Sequence, residues 1–329
     1  MQTQAMPCPD AAVGHFPFVA PRLTLKPAWH PQHEAIERRL AQDDWPYILR
    51  HFGDERMARK FIAQRIPAYG LLCYPHALPD RIYTIGRMMN VTTVMDDAFT
   101  PLARPGMEKE SAALRLHFEE ALHGVQPPAA FPSAQLLHDA LAPMRPQLAA
   151  RPAVWRRLAA SIAEQIAMQA ESTAIDVDRL SLAAYLALRR IEGFGHWITM
   201  LTEYAIDVDM TSAFERDPAL WEVRDATIDS VILVNDLFSF RKEAAKQERF
   251  NAVWVLSREL GLDATQALQH LSGLCERNEE RLLAASARVL AGPLGGRPDV
   301  QAYVTELAHM SSGNAAFHEF SARYRVGDG

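Results

Sequence analysis

Three oxygen-bearing side chains recur at four-residue spacing towards the C-terminal end of the chain. Asn235, Ser239 and Glu243 follow the apolar run 231–234. On an α-helix each four-residue step turns about 400°, so the three side chains fall within roughly 80° of arc along two turns. One carboxylate, one amide oxygen and one hydroxyl on a single stripe suit a hard divalent cation such as Mg²⁺. The alternative is a solvated helix end, but Asn and Ser are poor helix-interior residues, which makes a regular stripe of them unexpected there.

A second candidate for metal binding is the adjacent pair Asp96 and Asp97. The segment before it, residues 81–95, is mostly apolar or small, so we expect the pair to lie on a buried helix. Two neighbouring carboxylates repel each other at low dielectric, and a bound cation relieves that repulsion. The alternative is an exposed helix end or a cap for the turn at Thr100 and Pro101.

Two arginines are candidates for binding an anion. Arginine binds phosphate oxygens in a bidentate fork and stays charged when buried. Arg189 is followed by Gly193 within a helical pattern, where glycine costs about 1 kcal/mol relative to alanine and indicates a kink or a close backbone approach. The alternative for Arg189 is a structural ion pair with Glu192 or with a neighbouring helix. Arg323 with Tyr324, near the C-terminus, is a weak signal when taken alone.

Composition restricts the class of protein. The chain has 329 residues, 49% of them hydrophobic, and a net charge of −6. With no basic run that alternates with aromatic residues, a nucleic-acid partner is not expected. Cys8, Cys73 and Cys275 show no metal or redox spacing and are expected to be free thiols. Because neither a signal peptide nor a stretch of about 18 apolar residues is found, we expect a cytoplasmic protein without a membrane span.

Nearly every periodic segment predicts a helix. Windows rich in Ala, Leu and Arg dominate, and alternation at period two is scarce. About ten to twelve helices with short connections predict one all-α domain over residues 17–329, preceded by an extended or disordered arm over 1–16. The prolines of residues 1–30 favour an extended chain there. Helices are expected to begin near Asp54, Ser133, Ser181, Asp217, Asp263 and Asp299, with Pro218 at a first helical position.

Together these residues resemble the class I terpene synthases, in the single-domain form found in bacteria. That family has an aspartate-rich motif on one helix and an Asn/Ser/Glu metal triad on another, and Asp96 here lies 139 residues before Asn235. A diphosphate-sensing arginine stands 46 residues before the Asn in the family, which is the position of Arg189. Lys242 occupies the usual place of a lysine before the Glu. Arg323 and Tyr324 are similar to the family's C-terminal Arg-Tyr pair.

The resemblance spans about residues 17–325 and implies an α-helical bundle with a central active-site cavity. Within that cavity it implies a role for each matching residue. The implied metal ligands are Asp96, Asp97, Asn235, Ser239 and Glu243. The implied catalytic residues are Asp96, Arg189, Glu192 and Gly193. The implied diphosphate-binding residues are Arg189, Lys242, Arg323 and Tyr324. The implied cavity wall includes Met89, Thr92, Thr93, His196, Trp197 and Phe317.

The activity implied by the resemblance is ionisation of a linear prenyl diphosphate to an allyl cation and diphosphate, assisted by three Mg²⁺ ions, with Mn²⁺ as a substitute. The family's usual substrate makes farnesyl diphosphate the first expectation, with geranyl and geranylgeranyl diphosphate as alternatives. A chain-elongating prenyltransferase and an inactive isoprenoid-binding protein are the less favoured functions. A homodimer formed by helix packing is compatible with this architecture.

One departure from the family pattern concerns the aspartate-rich motif. The family usually has a third acid three or four residues after Asp97, where this chain has Thr100 and Pro101. The departure affects the expected metal affinity of this side of the site more than the activity itself.

Overall fold

Helices account for all the long elements of the structure. The computed structural model describes residues 18–171 and 176–324, apart from the side chain of Glu171, and these ranges contain no β-strand. The predicted all-α fold is confirmed. The helices are α1 (His33–Asp43), α2 (Trp45–Phe52), α3 (Glu55–Ala63), α4 (Pro67–Cys73), α5 (Ile82–Phe99), α6 (Glu108–Leu122), α7 (Pro132–Gln147), α8 (Pro152–Glu171), α9 (Leu182–Glu192), α10 (Gly195–Ala205), α11 (Thr211–Arg216), α12 (Ala219–Ala245), α13 (Ala252–Leu260), α14 (Ala264–Ala291) and α15 (Pro298–Phe320), with 3₁₀ turns at Thr100–Leu102, Val177–Arg179 and Ala322–Tyr324.

The described residues contain fifteen α-helices, so the predicted ten to twelve were too few. Part of the difference lies before residue 74, where four short helices follow one another. Gly53 ends α2 with φ +64, a left-handed conformation that favours glycine. The break expected at Gly193 is present: α9 ends at Glu192, Phe194 adopts φ +61, and α10 begins at Gly195.

The predicted helix starts fall at or within two residues of the observed ones. Three of them cap the first turn by accepting a backbone N–H: Asp54, Ser181 and Asp263. Two others lie second in their helices, after an initial proline: Ser133 and Asp299. At the sixth, Asp217 accepts from the backbone N–H of Ala219 at 3.0 Å, and Pro218 is the N-cap rather than the first helical residue.

Helix α12 is the central element of the fold. It packs against α14 and α15, and also against α9, α10 and α13. Its apolar side chains are buried along most of its length, which explains why the run 231–234 shows no clear amphipathic period. At Gly195, the start of α10, an added Cβ would lie 2.2 Å from Cγ2 of Ile228, so glycine allows α10 to approach α12 closely. The polar stripe of α12 therefore lies inside the helix bundle.

Residues 18–30 form a non-helical arm that is held against α14. The carboxylate of Glu279 is only 4% exposed. It accepts hydrogen bonds from the hydroxyl of Thr24 at 2.7 Å and from the backbone N–H groups of Thr24 and Leu25. Residues 18–30 contain no helix or strand, which agrees with the prolines there, whereas residues 1–16 of the predicted arm lie outside the described residues.

Two of the three cysteines, Cys73 and Cys275, are buried free thiols, as expected. Cys8 lies outside the described residues. In the described ranges, no helix combines the length and the apolarity that crossing a membrane requires.

Candidate active site

A cavity of about 430 Å³ lies between α5, α9, α12 and α15. Its wall combines the polar stripe of α12 with apolar side chains such as Ile198, Val231 and Ile232. Every predicted metal, catalytic and diphosphate-binding residue lines this one cavity: Asp96, Asp97, Arg189, Glu192, Gly193, Asn235, Ser239, Lys242, Glu243, Arg323 and Tyr324. The structure therefore brings together residues that are up to 228 positions apart in the sequence, from Asp96 to Tyr324.

The side-chain amide of Asn235 is held by hydrogen bonds at both ends. Its Oδ1 accepts from Nη2 of Arg189 at 3.2 Å. Its Nδ2 donates to the hydroxyl of Tyr324 at 3.1 Å and lies 3.2 Å from Nε2 of His318. Because Nδ1 of His318 lies 2.7 Å from the carbonyl oxygen of Asn314, the proton belongs on Nδ1 and Nε2 is the acceptor. These contacts fix which end of the amide is the oxygen.

Asn251 orders the rest of the stripe. Its Nδ2 donates to Oε2 of Glu243 at 2.9 Å and lies 3.4 Å from Oγ of Ser239. The same Nδ2 reaches the backbone oxygen of Asp236 at 2.8 Å, while Oδ1 caps α13 by accepting from Val253 at 2.9 Å. One side chain thus joins the end of α12 to the start of α13 and positions two of the predicted ligands.

Arg189 is the cation at the centre of this wall. One of its nitrogens contacts Glu192, and Nη2 also lies 3.2 Å from Oδ1 of Asp236. Its Nε is buried and has no hydrogen-bond partner among the described residues. The guanidinium lies 5.5 Å from the ring centre of Phe250. The ion pair with Glu192 considered for Arg189 is present, and it leaves Nε of Arg189 without a partner among the described residues.

Asp236 is a site residue that the sequence analysis missed. Its carboxylate is fully buried and accepts from the hydroxyl of Tyr185 at 2.6 Å and from the backbone N–H of Ala252 at 3.0 Å, besides its contact with Arg189. Burial raises the pKa of Asp236 to about 6, against the opposing attraction of Arg189. The sequence signal that could have identified Asp236 was its position directly after Asn235. Asp236 joins α9, α12 and α13 behind the cavity wall.

Asp96 and Asp97 lie across the cavity, at the end of α5. The nearest cation to Asp96 is Arg323, with Nη2 3.7 Å from Oδ2. Burial raises the pKa of Asp96; Arg323 opposes that rise and the charge of Asp97 adds to it. The pKa of Asp97 is also raised by burial. Thr100, in place of the third acid, donates its hydroxyl to the backbone oxygen of Asp96 at 2.8 Å.

Basic side chains gather at the same end of the cavity. Burial lowers the pKa of Lys242, and repulsion from Arg323 and Lys246 lowers it further. Nη1 of Arg323 also donates to Oε1 of Gln64 at 3.2 Å. Several cations crowded into one partly buried region repel each other, and an anion with several charges would relieve that repulsion.

Four of the six predicted wall residues line the cavity: Met89, Thr92, Thr93 and Phe317. The hydroxyls of Thr92 and Thr93 donate to the backbone oxygen of Met89, so they are satisfied within α5.

The structure places the other two predicted wall residues elsewhere, which corrects that expectation. His196 pairs with Glu164 of α8 at 2.9 Å, and Trp197 is fully buried in the core. The left-handed backbone of Phe194 sets the start of α10, and it is Phe194 that lines the cavity instead.

The donor set fits a hard divalent cation. The α12 wall offers amide, hydroxyl and carboxylate oxygens from Asn235, Ser239 and Glu243, and the α5 wall offers the two aspartates. Among the described residues, no group of three or more His, Cys, Asp or Glu side chains could hold a metal ion. A site here therefore depends on the amide and hydroxyl oxygens and on oxygens supplied by the ligand.

Comparison with known proteins agrees with this arrangement. The family model described as terpene synthase family 2, C-terminal metal binding, matches residues 87–281, which is more than half of the chain. The chain is 25% identical to (3S,6E)-nerolidol synthase of Selaginella moellendorffii over 325 residues, covering 95% of this chain and 85% of that protein. It is 25% identical to aristolochene synthase of Aspergillus terreus, covering 93% of this chain and 94% of that one. The crystal structure of aristolochene synthase from Penicillium roqueforti superposes with a TM-score of 0.77 at 20% identity, over 92% of this chain and all of that one.

Proposed function

The chain belongs to terpene synthase family 2 and is a lyase acting on prenyl diphosphates, and from this premise we propose that it converts farnesyl diphosphate to a sesquiterpene with the help of Mg²⁺. The observation that carries the proposal is the single cavity in which an oxygen-rich stripe and a group of cations adjoin an apolar wall. Relatives named for nerolidol and aristolochene, both fifteen-carbon products, support farnesyl diphosphate as the substrate.

The basic residues of the cavity would bind the diphosphate group of the substrate. Arg189, Lys242 and Arg323 line one region of the cavity, and the phenol of Tyr324 adds a donor there. Their charges oppose the negative charge that grows on the diphosphate as the carbon–oxygen bond breaks, which lowers the barrier to ionisation. When bound, Mg²⁺ adds further positive charge at the diphosphate oxygens. The residues that would hold it are Asp96, Asp97, Asn235, Ser239 and Glu243.

The apolar wall of the cavity would enclose the hydrocarbon chain of the substrate. Ile198, Val231 and Phe317 enclose space in which an allyl cation is shielded from bulk water, and the shape of that space selects how the chain folds before it cyclises. Aromatic faces, Phe317 and Phe194 among them, favour a nearby cationic carbon. The use of three ions, the substitution of Mn²⁺, the cytoplasmic location and the homodimer stay predictions.

The test is incubation of the purified protein with geranyl, farnesyl and geranylgeranyl diphosphate in the presence of Mg²⁺, with products identified by gas chromatography–mass spectrometry and released diphosphate measured in parallel. We expect a fifteen-carbon product from farnesyl diphosphate and its loss in EDTA. Asn235→Ala is the inactive control.

Three outcomes would contradict the proposal in different ways. Turnover of only the ten- or twenty-carbon substrate would replace farnesyl diphosphate with that substrate. A longer prenyl diphosphate formed when isopentenyl diphosphate is added would indicate chain elongation. The absence of diphosphate release from all three substrates would leave an isoprenoid-binding protein.

A further inference from the structure

Asn314 is a residue of the cavity wall whose buried side-chain amide has no hydrogen-bond partner among the described residues. The residue lines the cavity and is 0% exposed, and neither Nδ2 nor Oδ1 has a hydrogen-bond partner among the described residues. The ring of His318, one turn further along α15, bonds to the backbone oxygen of Asn314 and not to its amide. Leaving a buried polar group unpaired costs about 1–3 kcal/mol. The amide therefore lacks a hydrogen-bond partner that the described residues do not supply.

The backbone around Asn314 cannot easily move to relieve this. At Gly313 an added Cβ would lie 2.5 Å from the carbonyl oxygen of Leu72, so α15 is in close backbone contact with α4 at this point. The glycine permits the contact, and the contact holds the next residue against the cavity. Asn314 is thus fixed in place by the packing of two helices.

Other polar groups of the wall have partners or a different use. Thr92 and Thr93 donate within α5. The free Nε of Arg189 belongs to the diphosphate end. The buried hydroxyl of Tyr69 lies near the thiol of Cys73, a weak acceptor. Among the described wall residues, Asn314 is the one whose side chain has two unpaired buried polar atoms, Nδ2 and Oδ1.

We propose that Asn314 holds a water molecule in the cavity and presents it to the last carbocation of the reaction, so that the protein forms a terpene alcohol. The inference rests on the proposed function. With its Oδ1 accepting one O–H of the water, a lone pair of the water oxygen is free to attack the cationic carbon. The new carbon–oxygen bond forms, and the oxonium ion loses its proton to the diphosphate released earlier. Asn314 positions the water and is not itself changed.

The experiment compares the wild-type protein with Asn314→Leu, which keeps a similar volume and removes both polar atoms. Reactions with farnesyl diphosphate are run in water enriched in ¹⁸O. We expect the wild-type alcohol to carry ¹⁸O, and the alcohol-to-hydrocarbon ratio of Asn314→Leu to fall about fivefold, which corresponds to losing about one hydrogen bond of 1 kcal/mol. Diphosphate release is expected to persist in the variant, which a general loss of structure would not allow.

Ser312→Ala is the matched control. Ser312 is also a buried polar residue of α15, but its hydroxyl contacts the backbone oxygen of Lys26 at 3.2 Å and does not line the cavity. Its product ratio should equal that of the wild type. If melting curves show that Asn314→Leu does not fold, Asn314→Ala serves in its place.

Each failure has its own meaning. Diphosphate release with only hydrocarbon products from the wild type would overturn the inference and leave the proposed function intact. An unchanged alcohol ratio in Asn314→Leu would also overturn it, because the water would then be held by other groups. The absence of diphosphate release from the wild type would instead refute the proposed function.

Discussion

The two cavity walls that carry the proposed metal ligands are built in opposite ways. On the α12 wall, Asn235 is fixed by Arg189, Tyr324 and His318, and a further amide, Asn251, holds Glu243. On the α5 wall, no hydrogen-bond donor of the described residues reaches either aspartate carboxylate, and Asp96 keeps 36% of its side chain exposed. The α12 wall is arranged before any ligand arrives, whereas the α5 wall consists of two carboxylates whose charge is disfavoured by burial.

This difference assigns separate tasks to the two walls. Hydrogen bonds that hold a metal-ligating side chain in place reduce the entropy lost when a cation binds. The α12 wall therefore contributes ligands that are already oriented. The raised pKa values of Asp96 and Asp97 show that burial disfavours their negative charge, and a bound cation would offset that cost. The α5 wall therefore contributes negative charge that attracts a cation. Substitutions should therefore affect activity and stability differently on the two sides.

The largest effect is expected from removing a ligand. Asn235→Ala and Asp96→Ala should each lower turnover by about 100-fold or more, measured as diphosphate release with Mg²⁺. Their stabilities should differ. Asn235→Ala leaves one donor of Arg189 unpaired and should lower the free energy of unfolding by about 1–2 kcal/mol, whereas Asp96→Ala removes a charge that burial disfavours and should not lower it. Product formation at the wild-type rate by either variant would refute its role as a ligand.

A smaller effect is expected from loosening the α12 wall without touching a ligand. Asn251→Ala removes the hydrogen bond to Glu243 and the cap of α13, so we expect turnover to fall about tenfold and the required Mg²⁺ concentration to rise. Asp263→Ala, which removes the cap of α14 away from the cavity, is the control. It should lower the melting temperature without changing the Mg²⁺ requirement; equal Mg²⁺ requirements in the two variants would count against the ordering role of Asn251.

Adding a charge to the α5 wall should strengthen it modestly. Thr100 lines the cavity at the place of the missing acid, and Thr100→Asp should be tolerated and lower the Mg²⁺ concentration for half-maximal rate about two- to fivefold. Thr100→Asn, of the same shape without charge, should leave that concentration unchanged. Complete inactivation by Thr100→Asp would reveal a role for Thr100 that its hydrogen bond to Asp96 does not explain.

The smallest effect concerns pH in the absence of metal. Folding raises the pKa of Asp96, so the folded state binds its proton more tightly than the unfolded state, and the resulting stability is lost as pH rises from the ordinary value near 4 through the raised one. Asp96→Asn cannot ionise. Its gain in melting temperature over the wild type in EDTA should therefore be larger at pH 7 than at pH 4, and a gain independent of pH would show that Asp96 pays no cost for its charge.

The sequence predicted which residues share the cavity better than it predicted the contacts that surround them. The stripe on α12 is recognised by its four-residue period, and Arg189 by the number of residues that separate it from Asn235. Both can be read from a single sequence. Contacts made by tertiary packing have no comparable pattern in the sequence. His318 lies 83 residues from Asn235, and the residues around each of them do not predict their contact. The placement of Trp197 failed for the same reason, because the direction of α10 is set by the backbone of Phe194.

The arm over residues 18–30 has a consequence for the order in which the protein forms. The buried carboxylate of Glu279 is paired by Thr24, which is 255 residues earlier in the chain. A ribosome adds about 5–20 residues per second, so roughly 13–50 s pass between the synthesis of the two partners. Residues 18–30 are therefore made well before the helix that holds them, and they can take their place only after α14 has been synthesised.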